Sequence, residues 1–141
     1  MKILAFTDIH GSYKKVEEIL SRVSADVVVI GGDITTYGTP SEVEGVIQSW
    51  KKFGSPIVAV AGNMDPPEIE GTLEASGVSI NGRGVKINDV GFFGVSASPF
   101  SPLHTPYEIS EEEIAKRIDA GYLEVKSCKV KVFVPHASPL N

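Results

Sequence analysis

Ile3-Leu4-Ala5-Phe6-Thr7-Asp8-Ile9-His10-Gly11 is an apolar run that breaks into Asp-x-His-Gly, and its reading decides the fold. A run this short, closed by polar residues and a glycine, reads as a strand rather than a helix. Two later stretches repeat the arrangement. Val27 to Ile30 leads into Gly31-Gly32-Asp33, and Ile57 to Val60 leads into Gly62-Asn63-Met64-Asp65. Continuous Val- and Ile-rich runs suit strands covered on both faces, so a parallel sheet is predicted, with Ile3–Thr7 as its first strand.

Helical signals separate these strands. Ser12 is placed to cap a helix whose apolar stripe is Val16, Ile19, Leu20 and Val23, the spacing of one helical face. Thr39-Pro40-Ser41-Glu42 is a capping box with proline at the first helical position; its stripe is Val43, Val46, Ile47 and Trp50, and Gly54 stops it. Asp65-Pro66-Pro67-Glu68 is read as the start of a third, shorter helix with Asp65 as its N-cap, ended by Gly77.

Beyond Gly77 the pattern changes. Turn signals at Asn81-Gly82-Arg83-Gly84 and Asn88-Asp89 frame Val85–Ile87 and Val90–Val95, which predicts a β-meander. Ser96 to Ile109 is Pro-rich and long enough to be a functional loop. Ser110-Glu111-Glu112-Glu113 caps another helix, with Ile109 and Ile114 as its hydrophobic staple, and Lys129–Val134 is the last strand. No repeat or low-complexity linker divides the chain, so residues 1–141 are read as one α/β domain.

Bulk properties narrow the function. The 141 residues carry 13 basic and 18 acidic side chains, a net charge of −5 that disfavours a nucleic-acid binder held by basic patches. A hydrophobic share of 42% is that of a globular chain and excludes a disordered tail. An anionic substrate would need a bound cation to attract it. Cys128, the single cysteine, cannot form an internal disulfide, which makes a reducing compartment the expectation. No apolar run nears the roughly 20 residues of a membrane span. Asp8 and His10 interrupt the N-terminal run before it resembles a signal peptide. The chain is therefore read as cytoplasmic, with no membrane partner.

The metal-capable residues fall at corresponding places. Asp8 and His10, Asp33, Asn63 and His136 each lie just past the carboxyl end of a predicted strand, the edge where open α/β sheets bind ligands. In extended chain, residues two apart point to one side, so Asp8 and His10 can share an ion. The adjoining Gly11, Gly31, Gly32 and Gly62 would let backbone approach closely. Two carboxylates, two imidazoles and an amide oxygen suit borderline divalent ions such as Mn²⁺, Fe²⁺, Zn²⁺ or Ni²⁺. A bridging carboxylate such as Asp33 could hold two ions about 3.5–4 Å apart, the spacing that serves phosphate-ester hydrolysis.

The ordered set Asp8-x-His10, Gly32-Asp33, Gly62-Asn63-x-Asp65 and His136 resembles the calcineurin-like metallophosphoesterase family over nearly the whole chain. The stretch from Pro99-Phe100 to Ser110-Glu111-Glu112-Glu113 is similar to the small bacterial and archaeal branch of that family. The resemblance implies a metallophosphoesterase-like α/β sandwich, a βαβαβ core followed by a meander. It implies Asp8, His10 and Asp33 on one metal, Mn²⁺ being the first expectation, and Asp33, Asn63 and His136 on a second, with a bridging hydroxide attacking phosphorus. Where the family's third motif has histidine, this chain has Met64, which points to phosphodiesters rather than monoesters. The family's closing Gly-His-x-His motif lies beyond the position of His136, so a C-terminally incomplete domain is expected, ending at Asn141. A small phosphoester is the expected partner, and a homodimer is compatible with the sequence.

Other residues keep two readings. Arg83 is a phosphate contact or a solvated hairpin side chain, and Tyr37 lines the site or simply packs. His104 is a loop residue or part of a cover over the site, while Cys128 is an inert small residue. The competing function is a non-catalytic scaffold or binding domain of the same fold. A nucleotide-binding module is disfavoured because the chain has no Gly-x-x-x-x-Gly-Lys-Ser/Thr loop and no Gly-x-Gly-x-x-Gly fingerprint.

Overall fold

Strands β1 (Ile3–Phe6), β2 (Val27–Ile30) and β3 (Ile57–Ala59) form a parallel sheet in that order, with Ile3 opposite Val27 and Val28 opposite Ile57. The structure is a computed structural model and describes residues 1–138. The chain end expected at Asn141 therefore lies outside the described residues. Helices α1 (Tyr13–Arg22), α2 (Pro40–Lys51) and α3 (Ile69–Ala75) connect or follow these strands. The side chains of β2 alternate between two cores. Val28 and Ile30 face the helices, joining Val16, Leu20, Val43, Ile47, Trp50 and Leu73; Val27 and Val29 face the opposite way.

Local signals account for the helix ends. Thr39 Oγ1 accepts a hydrogen bond from the Glu42 amide at 3.2 Å, while Glu42 Oε2 accepts one from the Thr39 amide, so the capping box is closed. Gly54, just past α2, has φ of +91°, a conformation that favours glycine. Ser12 occupies the N-cap of α1 but makes no side-chain cap bond there. The stripe of α1 is narrower than predicted: Val16 and Leu20 are buried and Ile19 is 40% exposed.

A second sheet packs on the free face of the first. Strands β4 (Gly84–Ile87) and β5 (Val90–Val95) form an antiparallel hairpin whose turn residues Asn88 and Asp89 both have positive φ, as a tight hairpin requires. Helix α4 (Glu111–Glu124), capped by Ser110 Oγ on the Glu113 amide, crosses back to β6 (Val130–Pro135), which pairs with β5 in parallel. The predicted meander is thus a single hairpin plus a parallel strand. A helical crossover between β5 and β6 reverses the chain, so the pairing it delivers is parallel. Phe92, Ile80 and Val134 meet Val27, Val29, Val58 and Val60 between the sheets. Phe93, on the other face, packs with Val125 and Ile118 under α4. The result is four layers: helices, sheet, sheet, helix.

Burial on both faces, predicted for three strands, holds for β2 and β3 and fails for β1. Leu4 and Phe6 pack on the helical core, but Ile3 is 41% exposed and Ala5 is also exposed. On that side the sheets part to leave a cavity of about 300 Å³ lined by Ile3, Ala5, Val29, Val132 and Val134. Both β1 and β6 are edge strands there.

Candidate metal centre

The loops after β1, β2, β3 and β6 meet at one end of the sandwich. The Asp8 amide donates to the Gly32 carbonyl (3.1 Å), His10 to Asp33 (2.9 Å) and Gly11 to Ile34 (3.0 Å), so the first two loops are laced through backbone. The third loop joins through the Met64 amide, which donates to Asp33 Oδ1 at 2.9 Å. The fourth arrives when the His136 amide donates to the Val95 carbonyl.

This lacing brings the predicted residues together. One ligand-type atom from each of Asp8, Asp33 and His136 lies within 4.8 Å of the others. His10 Nε2 is 3.9 Å from Asp8 Oδ1 and 3.5 Å from Asp33 Oδ2. His136 Nε2 is 3.5 Å from Asp33 Oδ1 and 2.8 Å from Asn63 Oδ1. Asp33 therefore turns one oxygen to each imidazole.

Both rings are oriented by their far nitrogens. His10 Nδ1 lies 2.8 Å from Thr36 Oγ1, and His136 Nδ1 lies 2.8 Å from the Gly31 carbonyl oxygen. That carbonyl can only accept, so His136 Nδ1 donates to it and Nε2 is the ring atom turned toward the centre. Around Nε2 stand Asn63 Oδ1 and Asp33 Oδ1. Imidazole, carboxylate and amide oxygen converging on one place are a donor set that suits a borderline divalent ion. Burial pushes the Asp33 carboxyl above its ordinary range, opposed by the Met64 amide and the two facing imidazoles.

Close packing leaves no room for side chains at two glycines. A Cβ on Gly62 would run into the carboxylate and amide of Asp33, and one on Gly32 into His136 Nδ1. The predicted close approach does not extend to Gly11, whose role is its φ of +83° in open space. Asp8, His10 and Asp33 have φ of 51°, 45° and 50°, the left-handed region that L residues enter at a cost.

Several expectations change here. Asp65 does not cap α3, which starts later with Glu68 before it and no side-chain cap. Its carboxylate is wholly buried and accepts from the amides of Gly62, Ile34 and Thr35 and from Thr35 Oγ1. Arg83 lies on the surface 3.9 Å from Glu74, the solvated reading. Tyr37 is 64% exposed, its amide donating to the Met64 carbonyl, so it does not pack in the core. His104 is exposed, and its ring makes no hydrogen bond to the cluster among the described residues. Cys128 is buried against Phe93 and Val125.

The Pro-rich loop braces the site from behind. Ala97 donates to the Ala61 carbonyl and Tyr107 to that of Asn63, both at 3.0 Å. Glu108 holds the loop's own curve, accepting from the amides and hydroxyls of Ser101 and Thr105, and these bonds lower its carboxyl to about 2. Sequence reasoning missed Thr36 and Tyr107, since nothing in their neighbourhoods separates them from ordinary loop residues.

With four layers and a polar cluster at the strand ends, the chain belongs to the calcineurin-like phosphoesterase family, whose sequence profile matches residues 1–136. It is 34% identical over 142 aligned positions to the uncharacterized protein MJ1162 of Methanocaldococcus jannaschii; the match takes in 100% of this chain and 62% of that protein. The chain thus spans less than two-thirds of that relative's length. The crystal structure of TT1561 of Thermus thermophilus shares the fold, with a TM-score of 0.81 at 16% identity, covering 99% of this chain and 68% of that one. No helix among the described residues is long and apolar enough to cross a membrane.

Proposed function

We propose that the protein is a phosphoester hydrolase dependent on two divalent ions, Mn²⁺ first among them, and that phosphodiesters are its preferred substrates. The observation that carries this reading is Asp33: its two oxygens each lie 3.5 Å from a different imidazole Nε2. Asp8, His10 and Asp33 form the donor set for one ion, and Asp33, Asn63 and His136 the set for the other. Such a pair, when bound, activates water near neutral pH and stabilises both oxygens of an in-line displacement at phosphorus.

The chain's own residues do the rest. Thr36 and the Gly31 carbonyl fix the imidazoles so that Nε2 of each faces the centre. Asp8 and His10 lie on the exposed side, where a phosphate group can enter. Met64 has no proton to give a leaving group, so the chain favours esters whose leaving group departs unaided. An activated phosphodiester fits that limit. The left-handed φ values at Asp8 and His10 favour this reading over a non-catalytic scaffold, which gains little from holding these exposed ligand-type side chains in a costly conformation.

Hydrolysis of bis-p-nitrophenyl phosphate in Mn²⁺ tests the proposal. Turnover is expected, with p-nitrophenyl phosphate slower and Asp33→Ala inactive. Full activity in Asp33→Ala refutes the two-ion reading, and a faster monoester refutes the diester preference alone.

A further inference from the structure

Asp65 is a carboxylate with no solvent exposure and, among the described residues, no lysine, arginine or histidine within ion-pair distance. A buried charge in that position is costly unless hydrogen bonds replace its lost water. Here four donors do so. Oδ2 accepts from Gly62 (2.7 Å) and Ile34 (3.2 Å), and Oδ1 accepts from the amide (2.8 Å) and hydroxyl (3.0 Å) of Thr35.

The identity of those donors matters more than their number. Ile34 and Thr35 directly follow Asp33, and Gly62 directly precedes Asn63. The exchange is reciprocal: Asp33 binds the amide of Met64 in the third loop, while Asp65 of the third loop binds the amides after Asp33. Two aspartates thereby lock two loops, and each lock uses the neighbour of a metal-capable residue. The glycine at position 62 allows the loops to come this close, since any Cβ there would displace the Asp33 carboxylate.

We propose that Asp65 is the positioning residue of the centre: it sets the separation of the Asp33 and Asn63 loops, so that side chains from both reach one ion. The inference rests on the two-ion reading above. It explains why a carboxylate is needed. Both oxygens of Asp65 face N–H groups, so an amide in its place would turn its own NH₂ toward at least one donor. The loop separation would then widen on one side, and Asn63 would withdraw from Asp33.

Asp65→Asn is the direct test, read by Mn²⁺ equilibrium dialysis and by the electron paramagnetic resonance signal of a spin-coupled manganese pair, at a temperature well below unfolding. The native chain is expected to bind two ions and give the coupled signal. The variant is expected to keep its circular dichroism, bind one of the ions about tenfold or more weakly, in line with loss of an outer-sphere partner, and lose the coupled signal. A purely structural residue would lower the melting temperature and leave the coupled signal of the folded fraction intact. If Asp65→Asn does not fold, Thr35→Val serves instead, because it removes one of the four donors and leaves the carboxyl group in place. It is expected to weaken the coupled signal. An unchanged signal and unchanged dialysis in whichever variant folds overturn the proposal. Absence of any coupled pair in the native chain overturns the two-ion reading, and this inference with it.

Discussion

Asp33 has two flanks that meet water very differently. On one side stand Asp8 and His10, with side chains 57% and 40% exposed; on the other stands His136, 8% exposed, against the equally covered Asp33 at 6%. Exposed groups gain little from attracting a cation, because water screens the charge and competes for it. On the covered flank desolvation has already occurred in folding, and the ring is held by a backbone carbonyl. On the proposed two-ion reading, the covered flank would retain its ion and the open flank would exchange one and admit substrate.

That contrast can be broken by single substitutions. His136→Ala is expected to have the largest effect, a loss of Mn²⁺ affinity of at least the ~100-fold that removal of an oriented outer partner can cost. His10→Ala should cost about tenfold on the same scale, since water can take the vacated place. Calorimetric titration of both variants checks the order, and an equal loss would erase the distinction between the flanks. Gly62→Ala acts on the shared carboxylate, so it should weaken both ions by similar factors and also lower the melting temperature, with overpacking costs of about 1–3 kcal/mol. A loss confined to one ion would mean that the loops move independently.

The smallest effect is expected in acid. The folded-state carboxyl of Glu108 lies at about 2, below its ordinary 4.5. Its contribution is therefore complete above the ordinary value and lost as pH falls through the folded one. The protection factors of the Ser101 and Thr105 amides should fall over that interval, while the lacing of residues 8–11 to 32–34 stays protected until lower pH. If both regions loosen together, the Pro-rich loop and the site are one cooperative unit.

Much of this architecture could be read from the chain, and the exceptions share a cause. Val27–Ile30 and its flanking helices were legible because local periodicity and caps carry them. Ile3-Leu4-Ala5-Phe6 looks just as apolar, yet its outer face is open, because coverage depends on what lies across the sheet and not on the strand itself. The parallel pairing of β6 followed from the helix before it, a signal that the hairpin turns obscured. Asp65 reads as a cap because Asp-Pro-Pro-Glu imitates one, whereas its partners at positions 34 and 35 are about thirty residues distant. The five residues proposed as metal ligands stand out in the sequence because each falls at a strand end, whereas Thr36, which orients His10, has no such address.

The left-handed backbone at Asp8, His10 and Asp33 carries one more consequence. At Asp8 and His10 glycine would relieve the backbone, at a gain on the order of 1 kcal/mol, whereas at Asp33 it would also remove the bond to the Met64 amide. Random substitution under selection for folding alone would therefore wear away the side chains of Asp8 and His10 first. A descendant that had given up the chemistry would tend to show glycine or asparagine there. The state of positions 8 and 10 is thus a record of use, readable in any relative's sequence without an assay.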